Sequence, residues 1–445
     1  MVRRCVPAPL LLILGLVFPA ALGAATFEVT NSAGLTSALA DAQNGDRVHV
    51  NAPGPYRAPS QGWHITRSIE LFGDGSGHDW TNDATTLWAA SPSDPVLVLD
   101  VSQTPDKGAL QNVHIHDLQI RGLANPPCAP APNSNGIVFD NAAFPRRLLS
   151  NLRLERLSIN DMGNDGIHLT AANLGAGAIV GLTMIDCMSA HNCANGLTLR
   201  YATVPYILRG YFQLNRQMGA RITGCDEPQI VGCVFEDNED DGAHAAFSPQ
   251  LFMETVHAFL VQGCHFESFN KPVSKTALTV VGGHGGYIGS NTFGNADGAG
   301  TRGIYIYAGS PPSPSSSVVL GPNAWGNVDV LIELHDHPLV TSCVVLPQAV
   351  TNADAGIASR IIIPESADRG HVVMPATGIG PAGGAAFNLT AGVEFPRLSA
   401  ARRDSMTAAS SGGTRREGLV IYNVTTHELN YWNGSAWRAV TSKDP

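Results

Sequence analysis

Three stretches, "NDGIHLT" at 164–170, "ANGLTLR" at 194–200 and "MGARIT" at 218–223, share one grammar. Each is a turn glycine (Gly166, Gly196, Gly219) followed by apolar–x–apolar, the alternation of a short strand buried on one side. "SNGIVF" at Gly136, "DDGAHAA" at Gly242 and "TRGIYIY" at Gly303 match it. The steps 196→219 and 219→242 are both 23 residues, while 166→196 is 30 and predicts an insertion in that coil. A second landmark stands nine residues before four of these glycines, at Leu157, Cys187, Gly210 and Cys233. Two residues further come Ile159, Ser189, Phe212 and Phe235, and "GCHFESF" at Cys264 and "SNTFGN" at Asn291 repeat the element.

A unit of about 23 residues has room for three short strands and three turns, and alone it cannot bury its apolar face; stacked units can. Strands of neighbouring coils then lie about 4.8 Å apart. The predicted fold is all-β, a right-handed parallel β-helix. The landmark column becomes an inward turn ladder, which makes its cysteines small buried residues rather than nucleophiles.

Composition agrees. Only 14% of the 445 residues are charged, while Gly 47 and Pro 29 are plentiful, as in a turn-rich β protein. The net charge is −10 and the basic residues are scattered, which argues against nucleic acid as a partner. Arg3 and Arg4 lead into "PLLLILGLVFPAALGAA", a run that reads as a signal peptide over residues 1–24 and is too short to span a bilayer. No later segment is apolar enough for membrane insertion, so the expected product is secreted or held at the cell surface. Of the cysteines beyond Cys5, namely Cys128, Cys187, Cys193, Cys225, Cys233, Cys264 and Cys343, an odd number leaves at least one free, and no CxxC pair suggests zinc.

"FEVTNSAGLTSALADAQNGDRVHVNAPGPY" at 27–56, followed by "ITRSIELFGDGSG", resembles the entry segment of the pectate-lyase-like β-helix superfamily. The resemblance implies a β-helix over roughly 25–375. It also implies a capping helix over Leu35–Ala42, started by Asn31 or Ser32 and ended by Asn44-Gly45-Asp46. That superfamily holds lyases, hydrolases, epimerases, adhesins and tailspikes, so it implies a fold rather than one activity. Residues 376–445 differ. "RLSAARRD" followed by "GLVIYNVTTHELNYWNGSAW" resembles a terminal module of phage tail fibres and some bacterial surface proteins. It implies an end-cap or a trimerisation piece, hence a homotrimer, or an aromatic sugar-binding face. Tyr422, Trp432, Trp437 and the Asn433-Gly434 turn predict a hairpin.

Because the apolar residues face the core, the x residues face out. That column reads Val138, His168, Thr198, Arg221, His244, Thr279 and Tyr305, with Asp140, Thr170, Arg200, Thr223, Ala246 and Tyr307 two residues on. Preceding turns add Asp165, Asn195, Asp240, Asp241 and Arg302. Histidines, arginines, acids and tyrosines on one outer face predict a saccharide groove, with His168, Arg200, Asp240, Arg302, Tyr305 and Tyr307 as substrate-binding candidates. A lyase acting on a uronic-acid polymer needs a cation for the carboxylate, a base for the neighbouring proton and an acid for the leaving oxygen. Arg221 suits the first role, His244 or Lys275 the second, and His244 or a tyrosine the third, with Asp241 at the centre. The Glu239-Asp240-Asp241 turn offers oxygen ligands for Ca²⁺.

Two rivals stand beside the lyase. One is a non-catalytic carbohydrate-binding adhesin of tailspike type. The other is a hydrolase, through a resemblance to the polygalacturonase type in Asn164-Asp165, Asp240-Asp241, Gly283-His284-Gly285 and Arg360-Ile361. The threonine and lysine of that pattern are missing. Asp165 and Asp241 would also stand three coils, about 14 Å, apart, beyond the roughly 6.5–9.5 Å of an inverting pair. Finally, "HIHD" (His114, His116, Asp117) and "HDH" (His335, Asp336, His337) place histidines at i and i+2, a spacing that binds metal given a third ligand. With none evident in sequence, outward surface histidines are the expectation.

Overall fold

The computed structural model describes residues 24–76, 84–124, 130–175, 177–238, 249–267, 276–294, 298–309, 313–350 and short strand segments beyond, the last at 436–439. The signal-peptide run, Cys5, Cys128, Glu239, Asp240, Asp241, Gly242, His244 and Lys275 lie outside the described residues.

Helix Ser32–Asp41 caps the open end, as the entry segment implies. Asn31 is its N-cap, extended in backbone, with its side chain accepting from the Gly34 N–H at 2.8 Å. Leu35, Ala38 and Leu39 face the first coil. Asp46 then ties the chain back, its carboxylate accepting from the N–H groups of Ala25 and Gln43, both at 2.8 Å.

Beyond the cap, parallel strands wind into a solenoid. Eleven of them stack in chain order on the glycine face, including Ile137–Asp140, Ile167–Thr170, Leu197–Arg200, Ala220–Thr223, Leu251–Glu254, Thr276–Val281, Gly298–Tyr307 and Val328–Leu334. The glycines before these strands are small because the coils touch there. A Cβ on Gly166 would sit 2.0 Å from Ser189 Oγ, and one on Gly196 would sit 2.6 Å from the Gly219 carbonyl oxygen.

The opposite wall holds two ladders, joined because His114–Arg121 and Arg153–Asn160 run through both. They bend at a column of left-handed residues, Asp117 (φ 55), Arg156 (φ 48), Asp186 (φ 54) and Arg209 (φ 52), with Gly232 and Gly263 above them. Aspartate and glycine tolerate that backbone, and the two arginines in it pair with the aspartate of the coil before, Arg156 with Asp117 and Arg209 with Asp186.

Inside, Phe212, Phe235, Phe266, Phe293 and Trp325 stand in register on successive coils, with ring centroids 5.3, 5.1, 4.8 and 4.2 Å apart. Beside them runs an amide ladder. Asn192 Nδ2 donates to Asn215 Oδ1 (2.8 Å), Asn215 Nδ2 to Asn238 Oδ1 (2.9 Å), and Asn238 Nδ2 to Gln250 Oε1. Each buried carboxamide thus satisfies the next, which is what polar groups in a dry core require. Asn291 and Asn323 repeat the device at 3.1 Å. The landmark cysteines are inward, as the sequence predicts. Cys187, Cys225, Cys233, Cys264 and Cys343 are buried free thiols, burial pushing Cys187 and Cys225 up to about 12. Cys193 is disulfide-bonded.

One part of the repeat is corrected. The strand after Ala220–Thr223 begins not at Gly242 but at Leu251, which pairs with Ala220, so that coil is 31 residues long rather than 23. Gln250 takes the place of the turn glycine, because its amide closes the asparagine ladder.

The C-terminal segment forms antiparallel strands, Val420–Asn423 against Glu428–Trp432 and Glu428–Trp432 against Trp437–Ala439, with Trp432 opposite Trp437. The predicted hairpin is present; its Asn433-Gly434 turn lies outside the described residues.

Candidate functional site

The outward column of the glycine face is fixed by register: Val138, His168, Thr198, Arg221, Phe252, Thr279, Tyr305, Glu333. His168, Thr198, Arg221, Thr279 and Tyr305 stand where the alternation puts them. His244 does not belong to this column, since the step after Arg221 is Phe252. The ladder resumes after 239–248, which lie outside the described residues, where the apolar–x–apolar run "LFM" sets Leu251 and Met253 over Ala220 and Ile222. His244, Asp241 and Asp240 are in the segment that leads into Leu251–Glu254, and Lys275 is in the segment that leads into Thr276–Val281. By chain connectivity both segments adjoin the strands one and two coils beyond Arg221.

The column splits into three environments. At its lower end His168 and Asp165 form a supporting network. His168 Nδ1 lies 2.8 Å from Asp165 Oδ2, while Asp165 Oδ1 accepts from the Asn195 backbone and side chain at 2.9 and 3.1 Å. Asp165 is 3% exposed, so it secures the turn of the next coil and is unavailable to an incoming molecule. Arg200 is exposed, its guanidinium 4.6 Å from the Tyr201 ring centroid. In the middle Arg221 is exposed, its guanidinium 5.8 Å from the Phe252 centroid.

At the upper end five side chains converge. Arg302 Nε donates to Glu333 Oε2 at 2.6 Å and its guanidinium sits 5.6 Å from the Tyr305 centroid. Tyr305 and Tyr307 lie 6.0 and 4.5 Å from the His335 ring. Tyr305 is only 6% exposed, and burial, aided by the Glu333 carboxylate, pushes its hydroxyl up to about 12. It is therefore a neutral proton donor at ordinary pH. The predicted Arg302, Tyr305 and Tyr307 are thus brought together. Arg221 stands three coils away, about 14 Å on the strand spacing. Sequence reading missed Phe252 and Glu333, and it named His335 only as an outward histidine of "HDH", not as a member of this cluster. The signal was available in "VLIELHDH", which continues the inward–outward alternation of "IYIYA" one coil on.

Of the hydrolase pattern, Asp240 and Asp241 lie outside the described residues, and the described members stand apart. His284 lies on a separate turn ladder with Asp226, His257 and Ser316, bonded to Ser316 Oγ at 2.6 Å, while Asp165 is enclosed on the glycine face.

A second polar cluster lies on the opposite wall, in the first coils. His49, Phe72 and His116 stack at 4.6 and 5.2 Å, each directly above the last in register. His49 is bonded to Glu28 and Asp74, both at 2.8 Å. Glu70 meets Arg47 and His116, and Asp117 meets His116 and Arg156. His116 is 9% exposed, so the "HIHD" histidines are not the simple surface pair expected from sequence.

Known proteins place this architecture. Residues 150–342 match the family described as the right handed beta helix region, and residues 381–444 match the phage tail like trimerisation region. The chain is a right-handed β-helix carrying a trimerisation region. No curated protein matches it. Among solved structures, the β-helix is similar to an α-1,3-glucanase catalytic unit from Streptomyces thermodiastaticus (16% identity, TM-score 0.52, covering 81% of this chain and 69% of that one). It is similar also to a lacto-N-biosidase from Eubacterium ramulus (12%, 0.56, 80% and 68%). Tailspike protein 3 of bacteriophage CBA120 aligns over 93% of this chain and 67% of its own, at 12% identity and a TM-score of 0.43. At these identities the likeness is one of fold. Among the described residues no helix is long and apolar enough to cross a membrane.

Proposed function

We propose that this β-helix is an exported, trimeric polysaccharide-active protein whose glycine face binds a uronate-containing glycan and cleaves it by β-elimination. The observation that supports this reading most is the outer column itself. It runs from an exposed cation on an aromatic ring, Arg221 over Phe252, to the ring cluster of Tyr305, Tyr307 and His335. Groups one strand spacing apart suit a polymer of repeating sugars lying along the solenoid. The half-buried rings of Phe252 and Tyr307 offer a face to the apolar side of a sugar, with the buried Tyr305 behind them, and a guanidinium pairs bidentately with a carboxylate.

In this reading Arg221 neutralises the uronate carboxylate, which makes the proton on the adjacent carbon removable. His244 or Lys275, on the segments joined to the neighbouring strands, takes that proton, and an acid among the groove's histidines and tyrosines donates to the leaving oxygen. Asp241 orients the base, and the acidic 239–241 turn supplies oxygen ligands if Ca²⁺ takes part. Arg302, Tyr305, Tyr307 and His335 form a further sugar subsite, and His168 and Arg200 the opposite end. The names of the glucanase and lacto-N-biosidase neighbours, both glycan-acting, agree with a saccharide partner. The disulfide at Cys193 agrees with an oxidising, extracytoplasmic compartment.

The deciding experiment screens purified protein on uronate-containing and neutral polysaccharides. Ultraviolet absorbance from an unsaturated uronate marks elimination; new reducing ends without it mark hydrolysis. The trimerisation region favours a second reading, a tailspike-like adhesin that holds the glycan uncut, and binding without any product would establish that instead.

A further inference from the structure

We propose that Glu70, His114 and His116 form a binding site for one divalent transition-metal ion of the Zn²⁺ class, on the wall opposite the glycine face. The proposal is independent of the glycan reading.

Register creates the site. Glu70 pairs directly with His114 across adjacent parallel strands, and His116 is two residues further along the same strand, on the same outward side. Each of the three offers one ligand atom, and these atoms all lie within 4.8 Å of one another. Two imidazoles and a carboxylate suit zinc and its borderline neighbours; calcium and magnesium prefer all-oxygen sites.

The surroundings are those of an oriented ligand set. His116 Nδ1 is bonded to Asp117 Oδ2 at 2.6 Å, which directs Nε2 to Glu70 Oε1 at 2.9 Å. Asp117 is itself clamped by Arg156 through both oxygens at 2.7 Å. A carboxylate on the far nitrogen of a ligating histidine fixes its orientation and raises its basicity. An ion would take the position now bridged by the hydrogen bond between His116 and Glu70, displacing the longer contact of Arg47 Nη2 to Glu70 Oε1 at 3.2 Å, while Arg47 Nε keeps its bond to Glu70 Oε2.

Two further observations point to a ligand. His114 Nε2 is buried without a hydrogen bond, its nearest acid being Glu155 Oε2 at 3.4 Å. A shallow cleft of about 490 Å³, bounded by Asn44, Ser68 and Asn112, opens onto Glu70 and His114, leaving room for water or an added ligand on the ion. Carboxylates also outnumber guanidiniums in the cluster. Glu28, Glu70, Asp74, Asp117 and Glu155 face Arg47, Arg153 and Arg156, an excess of negative charge that a divalent cation offsets.

The test uses the full-length, tag-free protein, stripped with chelator and dialysed against Zn²⁺ or Co²⁺. One ion per chain is expected, with the visible Co²⁺ spectrum of nitrogen–oxygen ligation and no displacement by excess Ca²⁺. His114→Gln and His116→Gln, confirmed folded by circular dichroism, should abolish retention. Asp117→Asn should weaken it about 10- to 100-fold. Three results would each overturn the proposal: no ion retained at micromolar free metal, retention unchanged in His116→Gln, or a cobalt–thiolate band placing the ion on the buried cysteines. The wild-type cobalt spectrum decides even where a histidine variant fails to fold.

Discussion

Phe252, not His244, stands one coil beyond Arg221, and the Arg221 guanidinium lies 5.8 Å from the centre of its ring. The pair is outward-facing and bears on no core contact. Arg221→Ala should therefore leave the melting curve nearly unchanged, within about 0.5 kcal/mol. If the arginine meets a substrate carboxylate, a lost charged hydrogen bond of about 1.5–3 kcal/mol should weaken glycan binding or turnover roughly 10- to 100-fold. Full activity in this variant would remove Arg221 from the site.

The aromatic column predicts the reverse behaviour. Phe235 is fully buried between Phe212 and Phe266, so Phe235→Ala should cost about 3–5 kcal/mol by opening a cavity between two stacked rings. Thermal or denaturant unfolding should show a marked loss while the far-ultraviolet spectrum stays that of a β protein. An unchanged midpoint would contradict the stack.

The amide ladder supplies a smaller effect. Asn215→Ala removes the acceptor of the Asn192 backbone and side-chain N–H groups and the donor to the Ser189 carbonyl, while Asn238 Oδ1 keeps the backbone N–H of residue 215; the penalty is about 1–3 kcal/mol for each buried group left unpaired. Hydrogen exchange should rise first in the coils spanning 189–238, since a solenoid unravels through neighbouring coils.

His49 gives the wall a pH dependence. Burial disfavours its charged form, but the Asp74 and Glu28 carboxylates on its two ring nitrogens outweigh burial and raise it above its usual value. The folded protein then holds a proton that the unfolded chain releases. This stabilisation is complete below about 6.5, the ordinary histidine value, and is lost as pH rises through the raised one. Melting temperatures measured across that window should fall with pH in the wild type and fall less steeply in His49→Gln.

Removing residues 381–444 should convert the proposed trimer to a monomer, read by light scattering. Apparent affinity for a long glycan should fall by as much as 10²- to 10⁴-fold through lost multivalency, with binding to a short oligosaccharide unchanged. A trimer that survives the deletion would place the interface on the β-helix itself.

The architecture was legible because a solenoid writes its geometry as repetition. The turn glycines, the apolar alternation, the Asn31 cap and the inward cysteines each obey local rules that a single coil displays. The site was less legible, for a reason visible at Gly242. "DDGAHAA" carries the local pattern of a strand at the expected interval, yet the ladder takes up "LFME", which starts nine residues beyond the segment's glycine and sets Leu251 and Met253 over Ala220 and Ile222. Local grammar cannot see that pairing. The Glu70–His114–His116 cluster was hidden differently. Its third member is 44 residues upstream of His114, and only the register of the first coils brings it there.

The 31-residue coil shows what such a wall permits. Eight residues more than the shortest step enter between Asn238 and Gln250, yet both amides still bond and Leu251 still rests on Ala220. The spine records nothing of the excursion. A lineage with this construction can lengthen, shorten or exchange its rim segments without renegotiating the packing beneath them. Whatever those segments recognise is then free to change faster than the fold that carries it.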